Sequence, residues 1–127
     1  MRCRFVIHYH RAGRRHFDLR IVVNGVLRSW SMLKEPLLQQ GEKRLAIERE
    51  SFPLEFIDQE IFEEQAFGRG AVVEWDSGEV EVGMPSPRHL LLQFAGQKIS
   101  GNYELRRMSW YPGNRWLLTK KRRRQNF

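Results

Sequence analysis

Apolar and polar residues alternate in short runs along most of this chain, the pattern of strands with one face buried. The clearest run spans residues 17–23. Phe17, Leu19, Ile21 and Val23 fall on one face, and Asp18, Arg20 and Val22 on the other. Asn24-Gly25 follows, a pair that tolerates positive φ at both positions, so a tight hairpin into residues 26–32 is expected. A preceding strand is predicted at 5–10 and another at 44–48. Two more hairpins are predicted, one around Asp76-Ser77-Gly78 (71–75 with 79–82) and one around Ala95-Gly96-Gln97 (90–94 with 98–99). Final strands are predicted at 102–107 and 115–119. Residues 36–43 read as a polar connection and 51–56 as a loop or irregular turn, while 61–65 fits a helix and a strand equally well. Short strands spaced by turn signals indicate an all-β fold, either a sandwich or a compact closed or partly closed β-barrel with short helical elements. With 127 residues and no internal repeat, one domain is expected. It is assigned to residues 1–119, with 120–127 as a basic C-terminal tail.

Charge adds a partner class. Lys and Arg number 22 against 15 Asp and Glu, a net charge of +7, which favours polyanions and nucleic acid first. Lys120-Lys121-Arg122-Arg123-Arg124 holds five of those seven charges. That run reads either as a solvated terminus or as an arm gripping a phosphate backbone. Cys3 is the only cysteine, which excludes an internal disulfide and a cysteine-rich zinc module. No apolar run approaches the ~20 residues of a membrane span, and the N-terminus has no signal-peptide core. A cytoplasmic monomer without membrane contact is expected.

The candidate chemistry sits on the first hairpin. His16, Asp18 and Arg20 alternate along one strand and share a face, at Cβ spacings of about 7 Å. His10 ends the strand before, with His8 on its face. This polar face is expected to border solvent or a wet cavity, because an unpaired buried charge is costly. Two imidazoles and a carboxylate form a facial N,N,O ligand set with open positions, suited to Mn²⁺, Fe²⁺, Co²⁺ or Zn²⁺. The fork of Arg20 matches two phosphate oxygens. The same residues also read as charges paired with one another on a solvated strand. His89, among prolines, reads as surface. Trp30 and Trp75 read as core, and Trp110-Tyr111-Pro112-Gly113 as a turn.

Several motifs together carry a family likeness. Phe5-Val6-Ile7-His8-Tyr9-His10, Arg15-His16-Phe17-Asp18-Leu19-Arg20, Asn24-Gly25-Val26-Leu27-Arg28-Ser29-Trp30, Lys34-Glu35-Pro36, Lys43-Arg44-Leu45-Ala46, Pro53-Leu54-Glu55-Phe56, Gly68-Arg69-Gly70-Ala71-Val72-Val73-Glu74-Trp75-Asp76-Ser77-Gly78, Gly101-Asn102-Tyr103-Glu104-Leu105 and Trp116-Leu117-Leu118-Thr119-Lys120 occur in this order. In them the chain resembles the 3′-phosphoesterase domain of bacterial DNA ligase D and its stand-alone relatives. The resemblance implies a β-barrel with a crescent-shaped site. It also implies manganese-dependent removal of 3′-phosphates and 3′-terminal ribonucleosides from primer ends, with Co²⁺ or Zn²⁺ as alternative metals and a DNA ligase or polymerase as a possible partner. By motif match, His10, His16 and Asp18 would hold the metal, Arg20 the scissile phosphate, and Arg44 and Glu50 would line the site, with His8 nearby. The chain departs from the family pattern at Phe52, where relatives carry a phosphate-touching histidine, and at Phe56, where they carry tyrosine. Glu63-Glu64-Gln65-Ala66 replaces a proline- and glycine-containing stretch, and the N-terminal arm of many relatives is expected to be missing. These departures keep a second use open, a catalytically weak module that binds nucleic-acid ends. A third is an interaction barrel with structural histidines.

Overall fold

Alternation along the strands sorts the side chains onto the two sides of one closed wall. The computed structural model describes residues 1–11, 14–36, 38–54, 57, 72–109 and 113–122. Phe56, the stretches 61–66 and 68–71, Trp110-Tyr111-Pro112 and the tail from residue 123 lie outside the described residues. Eight strands are described: β1 (Arg2–His10), β2 (His16–Val23), β3 (Val26–Met32), β4 (Lys43–Phe52), β5 (Val72–Ser86), β6 (His89–Gly96), β7 (Ser100–Arg107) and β8 (Arg115–Lys120). They close into a barrel in the order β1-β2-β3-β4-β8-β7-β6-β5, and each neighbouring pair is antiparallel. Among the described residues, no helix is long and apolar enough to cross a membrane.

The interior is filled by Phe5, Ile7, Leu19, Ile21, Trp30, Met32, Val80, Leu90, Phe94, Tyr103, Trp116 and Leu118 with their neighbours. Trp30 and Trp116 meet edge to face with centroids 5.5 Å apart. Arg28 lies over both indoles and donates to Glu48 through Nε and Nη2, at 3.0 and 2.9 Å. Trp75 is half-buried against the core, edge-on to Phe17. Asn24 and Gly25 take φ of 51° and 81°, and the turn they make pairs Val23 with Val26 as the hairpin pattern predicts.

Three local expectations differ from the structure. No hairpin forms at Asp76-Ser77-Gly78, where β5 runs on unbroken for 15 residues and turns only at Pro87-Arg88. The strand serves two neighbours, pairing with β1 along its first part and β6 along its second. Gly78 is required by that approach, since a Cβ there would stand 2.6 Å from the Ala95 carbonyl oxygen. The turn chemistry of Asp76 is spent elsewhere: its carboxylate accepts N–H bonds from Ser77, Gln97, Lys98 and Ile99, fixing the β6–β7 turn. Second, β4 continues through Ser51 and Phe52, which extends it along β3 past a bulge. Third, His89 opens β6, half-buried, with Nε2 2.5 Å from the Glu104 carboxylate. At its C-terminal end β8 runs to Lys120, which pairs with Tyr103, and the Lys121 N–H donates to the Asn102 carbonyl.

Candidate metal centre

The register of the first three strands builds the site. β1 and β2 pair His10 with His16, His8 with Asp18 and Val6 with Arg20, and β3 sets Ser31 opposite Asp18 and Ser29 opposite Arg20. Cross-strand partners share a face. These side chains therefore gather on the outer side of the barrel wall, opposite Phe17, Leu19 and Ile21.

That outer face is not open to solvent, contrary to the expectation from sequence. His8, His10, Asp18 and Arg20 are each at most 2% exposed. Val6, Leu27 and Ile57 form a second apolar cluster beside them, with Val22 and Phe52 packed on it. Burial is tolerable because the charges satisfy one another. Asp18 Oδ2 lies 2.8 Å from His10 Nε2, 3.4 Å from His16 Nε2 and 3.2 Å from Arg20 Nη2. Its other oxygen, Oδ1, accepts the Ser31 hydroxyl at 2.5 Å. Burial pushes the Asp18 pKa up, but His10, His16, Arg20 and Ser31 outweigh it and hold the carboxyl far below the ordinary carboxylate range.

The donor chemistry fits a divalent cation. One nitrogen from each histidine and one Asp18 oxygen lie within 4.8 Å of one another. Donors at right angles on a cation, each at ~2.1 Å, stand ~3 Å apart, and the His–Asp distances bracket that value. The His10 and His16 rings stack with centroids 4.4 Å apart and planes 11° from parallel. His16 Nδ1 meets the Arg14 carbonyl at 3.0 Å, which assigns its proton to Nδ1 and leaves the Nε2 lone pair for a metal. The Asp18 bond raises the His16 pKa against burial, with help from the Arg14 carbonyl, while the Arg49 charge opposes the rise. Ser31 occupies Oδ1, so Asp18 offers a metal one oxygen, Oδ2.

The remaining candidates are placed unevenly. The Arg20 guanidinium sits 4.8 Å over the Phe52 ring, so Phe52 forms a wall of the site. Arg44 is not brought to the cluster. It stands five residues before Arg49 on β4, on the opposite face, and its Nε donates to the Glu35 carbonyl at 3.1 Å. Glu50 is exposed in the bulged part of β4. Sequence reasoning overlooked two residues that the fold does deliver, Ser31 and Arg49. Arg49 Nε donates to Ser31 Oγ at 3.2 Å, and Ser31 in turn donates to Asp18. A concavity of about 910 Å³, bordered by Lys43, Leu91, Glu104 and Lys121, lies toward β7 and brings no histidine with it.

The fold and site together define a closed antiparallel β-barrel with a buried N,N,O donor set that could hold a metal ion and an arginine on the same carboxylate oxygen. The comparisons narrow it to one family. The model of the DNA ligase D 3′-phosphoesterase domain matches residues 8–107, and the chain belongs to that family. It is 34% identical over 125 residues to the multifunctional non-homologous end joining protein LigD of Pseudomonas aeruginosa, covering 92% of this chain and 15% of that protein. The corresponding figures for the LigD DNA repair protein of Mycobacterium tuberculosis are 36% over 118 residues, 89% and 15%. For LigD of Mycolicibacterium smegmatis they are 30% over 135 aligned positions, 97% and 17%. The chain thus spans about a sixth of the length of these relatives.

Proposed function

We propose that this chain is a metal-dependent phosphoesterase that heals DNA 3′ ends, removing a 3′-phosphate or a 3′-terminal ribonucleotide in the service of non-homologous end joining. The reading rests on one observation, the convergence of His10, His16, Asp18 and Arg20 on a single point of the barrel wall. The family match and the LigD relatives support it. His10, His16 and Asp18 Oδ2 would hold Mn²⁺, with Co²⁺ or Zn²⁺ as substitutes. A bound divalent ion would polarise the phosphate ester and lower the pKa of water. The partners that hold the Asp18 pKa below the ordinary carboxylate range favour the anionic form that a cation needs. Arg20 offers guanidinium donors where charge grows on the phosphate oxygens, and its burial makes those donors stronger than they would be in water. A net charge of +7 supports nucleic acid as the substrate class, with a DNA ligase or polymerase as the partner of the reaction.

The experiment is a duplex whose primer strand ends in a 3′-phosphate or a single 3′-ribonucleotide, incubated with Mn²⁺ or with EDTA. Manganese-dependent release of phosphate, or shortening by one nucleotide, is the expected result. Binding of the same duplex without turnover would favour the second reading, a module that recognises ends but processes them poorly. Phe52 favours that alternative, since an apolar ring covers Arg20 where relatives carry histidine. Phe52→Gln and Phe52→His separate the two. On the phosphoesterase reading, histidine raises turnover about tenfold by supplying a proton carrier, and glutamine does not. Equal rates for both variants would show that the missing imidazole does not limit the reaction.

A further inference from the structure

Arg49 has no part in the donor set, yet the fold brings it to the site. Opposite Ser29 on β4, it shares the face of Ser31, Asp18 and Arg20. Unlike Arg20 it is exposed. Its Nε is anchored on Ser31 Oγ, so the root of the guanidinium is fixed while its outer edge reaches solvent. Arg49 and Arg20 address different oxygens of Asp18. Arg20 meets Oδ2 together with both imidazoles, whereas the Ser31–Arg49 chain leads away from Oδ1. A phosphate drawn to the metal side and Arg20 therefore leaves Arg49 beside the next stretch of backbone.

We propose that Arg49 is a substrate-positioning residue that receives the phosphodiester flanking the scissile position, through the guanidinium edge that Ser31 holds in place. Its chemistry suits that ligand: a permanently charged planar fork, with Nε bonded to Ser31 and two further nitrogens on an exposed side chain, matches a phosphate bidentately where an ammonium would not. Arg20 on β2 and Arg49 on β4 stand on the same outer face with Ser29 of β3 between them, and Arg49 reaches Ser31 beside Asp18. The two arginines form a track for a strand of nucleic acid rather than a socket for one small anion. The inference deepens the proposed function and rests on it for the identity of the substrate.

The test measures binding first, in EDTA, by fluorescence anisotropy of a hairpin DNA ending in 3′-phosphate or 3′-hydroxyl across a range of salt. Arg49→Ala is expected to weaken binding of both ends about tenfold at low salt and to reduce the salt slope by about one counterion. Arg49→Lys should restore the slope but only part of the affinity. Ser31→Ala should keep the slope, because it removes the anchor and not the charge. With Mn²⁺ present, Arg49→Ala should raise KM far more than it lowers kcat. An unchanged affinity and slope in Arg49→Ala would overturn the assignment, and so would a loss confined to the 3′-phosphate hairpin, which would put Arg49 on the terminal group. A wild-type protein that binds with this Arg49 dependence but turns over neither end refutes the phosphoesterase reading alone. Turnover by wild type with no effect of Arg49→Ala on KM refutes the Arg49 assignment alone.

Discussion

Asp18→Asn is expected to abolish divalent-metal binding while leaving a folded barrel, and Asp18→Ala is expected to damage both. The asymmetry follows from how much converges on one carboxylate. Asn retains an oxygen and the shape of the side chain, but not the charge that holds a cation between two neutral imidazoles. Affinity for Mn²⁺, measured by titration calorimetry, should fall roughly a hundredfold or more, and turnover of a 3′-phosphate end about a thousandfold. Both substitutions remove the charge that offsets Arg20, a guanidinium only 1% exposed, but alanine also removes the oxygens that accept from Arg20 and Ser31 and leaves the space of the side chain empty. Losing a buried charge pair, its hydrogen bonds and the packed side chain together costs about 3–5 kcal/mol, enough to lower Tm by roughly 10–20 °C in a chain of this size. Removing His10, which leaves Asp18 with Arg20 and Ser31, should abolish metal binding at much smaller cost to Tm. Full metal affinity in Asp18→Asn, or an unshifted Tm in Asp18→Ala, would remove this carboxylate from the centre of the site.

How much of that centre was legible in the sequence depends on chain separation. Side-chain alternation alone puts His16, Asp18 and Arg20 on one face. The two-residue turn at Asn24-Gly25 extends this reach: with Val23 opposite Val26, counting back five residues on each strand places Ser31 against Asp18. The signal for Ser31 was therefore present and went unused. Arg49 was beyond such counting, since its approach depends on a connection of ten residues after β3 and on a bulge in β4 that shifts the register. Arg44 belongs to the family motif but falls on the other face of the same strand, a matter of parity that a motif does not encode. The burial of the site was misjudged for a related reason. A polar strand face predicts solvent only if nothing covers it, and Ile57 and Phe52 reach it from beyond β3.

Asp76→Ala is expected to loosen the barrel at the β6–β7 turn. Its residue string, Asp-Ser-Gly, has turn composition, and the structure shows a turn being held, though not the one those residues would make themselves. Asp76 Oδ2 accepts from Lys98 and Ile99 at 2.9 Å each, and Oδ1 from Ser77 at 2.8 Å and Gln97 at 3.1 Å. Gln97 and Lys98 are exposed, so water replaces much of what they lose. Ile99 is fully buried, and its N–H would be left without an acceptor. The net cost is about 3 kcal/mol, or roughly 10 °C in Tm, with Asp76→Asn losing about half as much. Burial pushes the Asp76 pKa up, but the N–H groups of Ile99, Lys98, Gln97 and Ser77 outweigh it and hold the carboxyl below its ordinary value. Asp18 is depressed in the same sense and further. The stability that both carboxylates contribute is thus complete above the ordinary pKa of ~3.9 and is lost as pH falls through their folded values. Wild-type Tm should therefore decline below about pH 4, and Asp76→Ala should show a shallower acid limb because one of its causes is gone. Parallel acid limbs in the two proteins would mean that folding does not lower the Asp76 pKa, and the clamp on the β6–β7 turn would have to come from elsewhere.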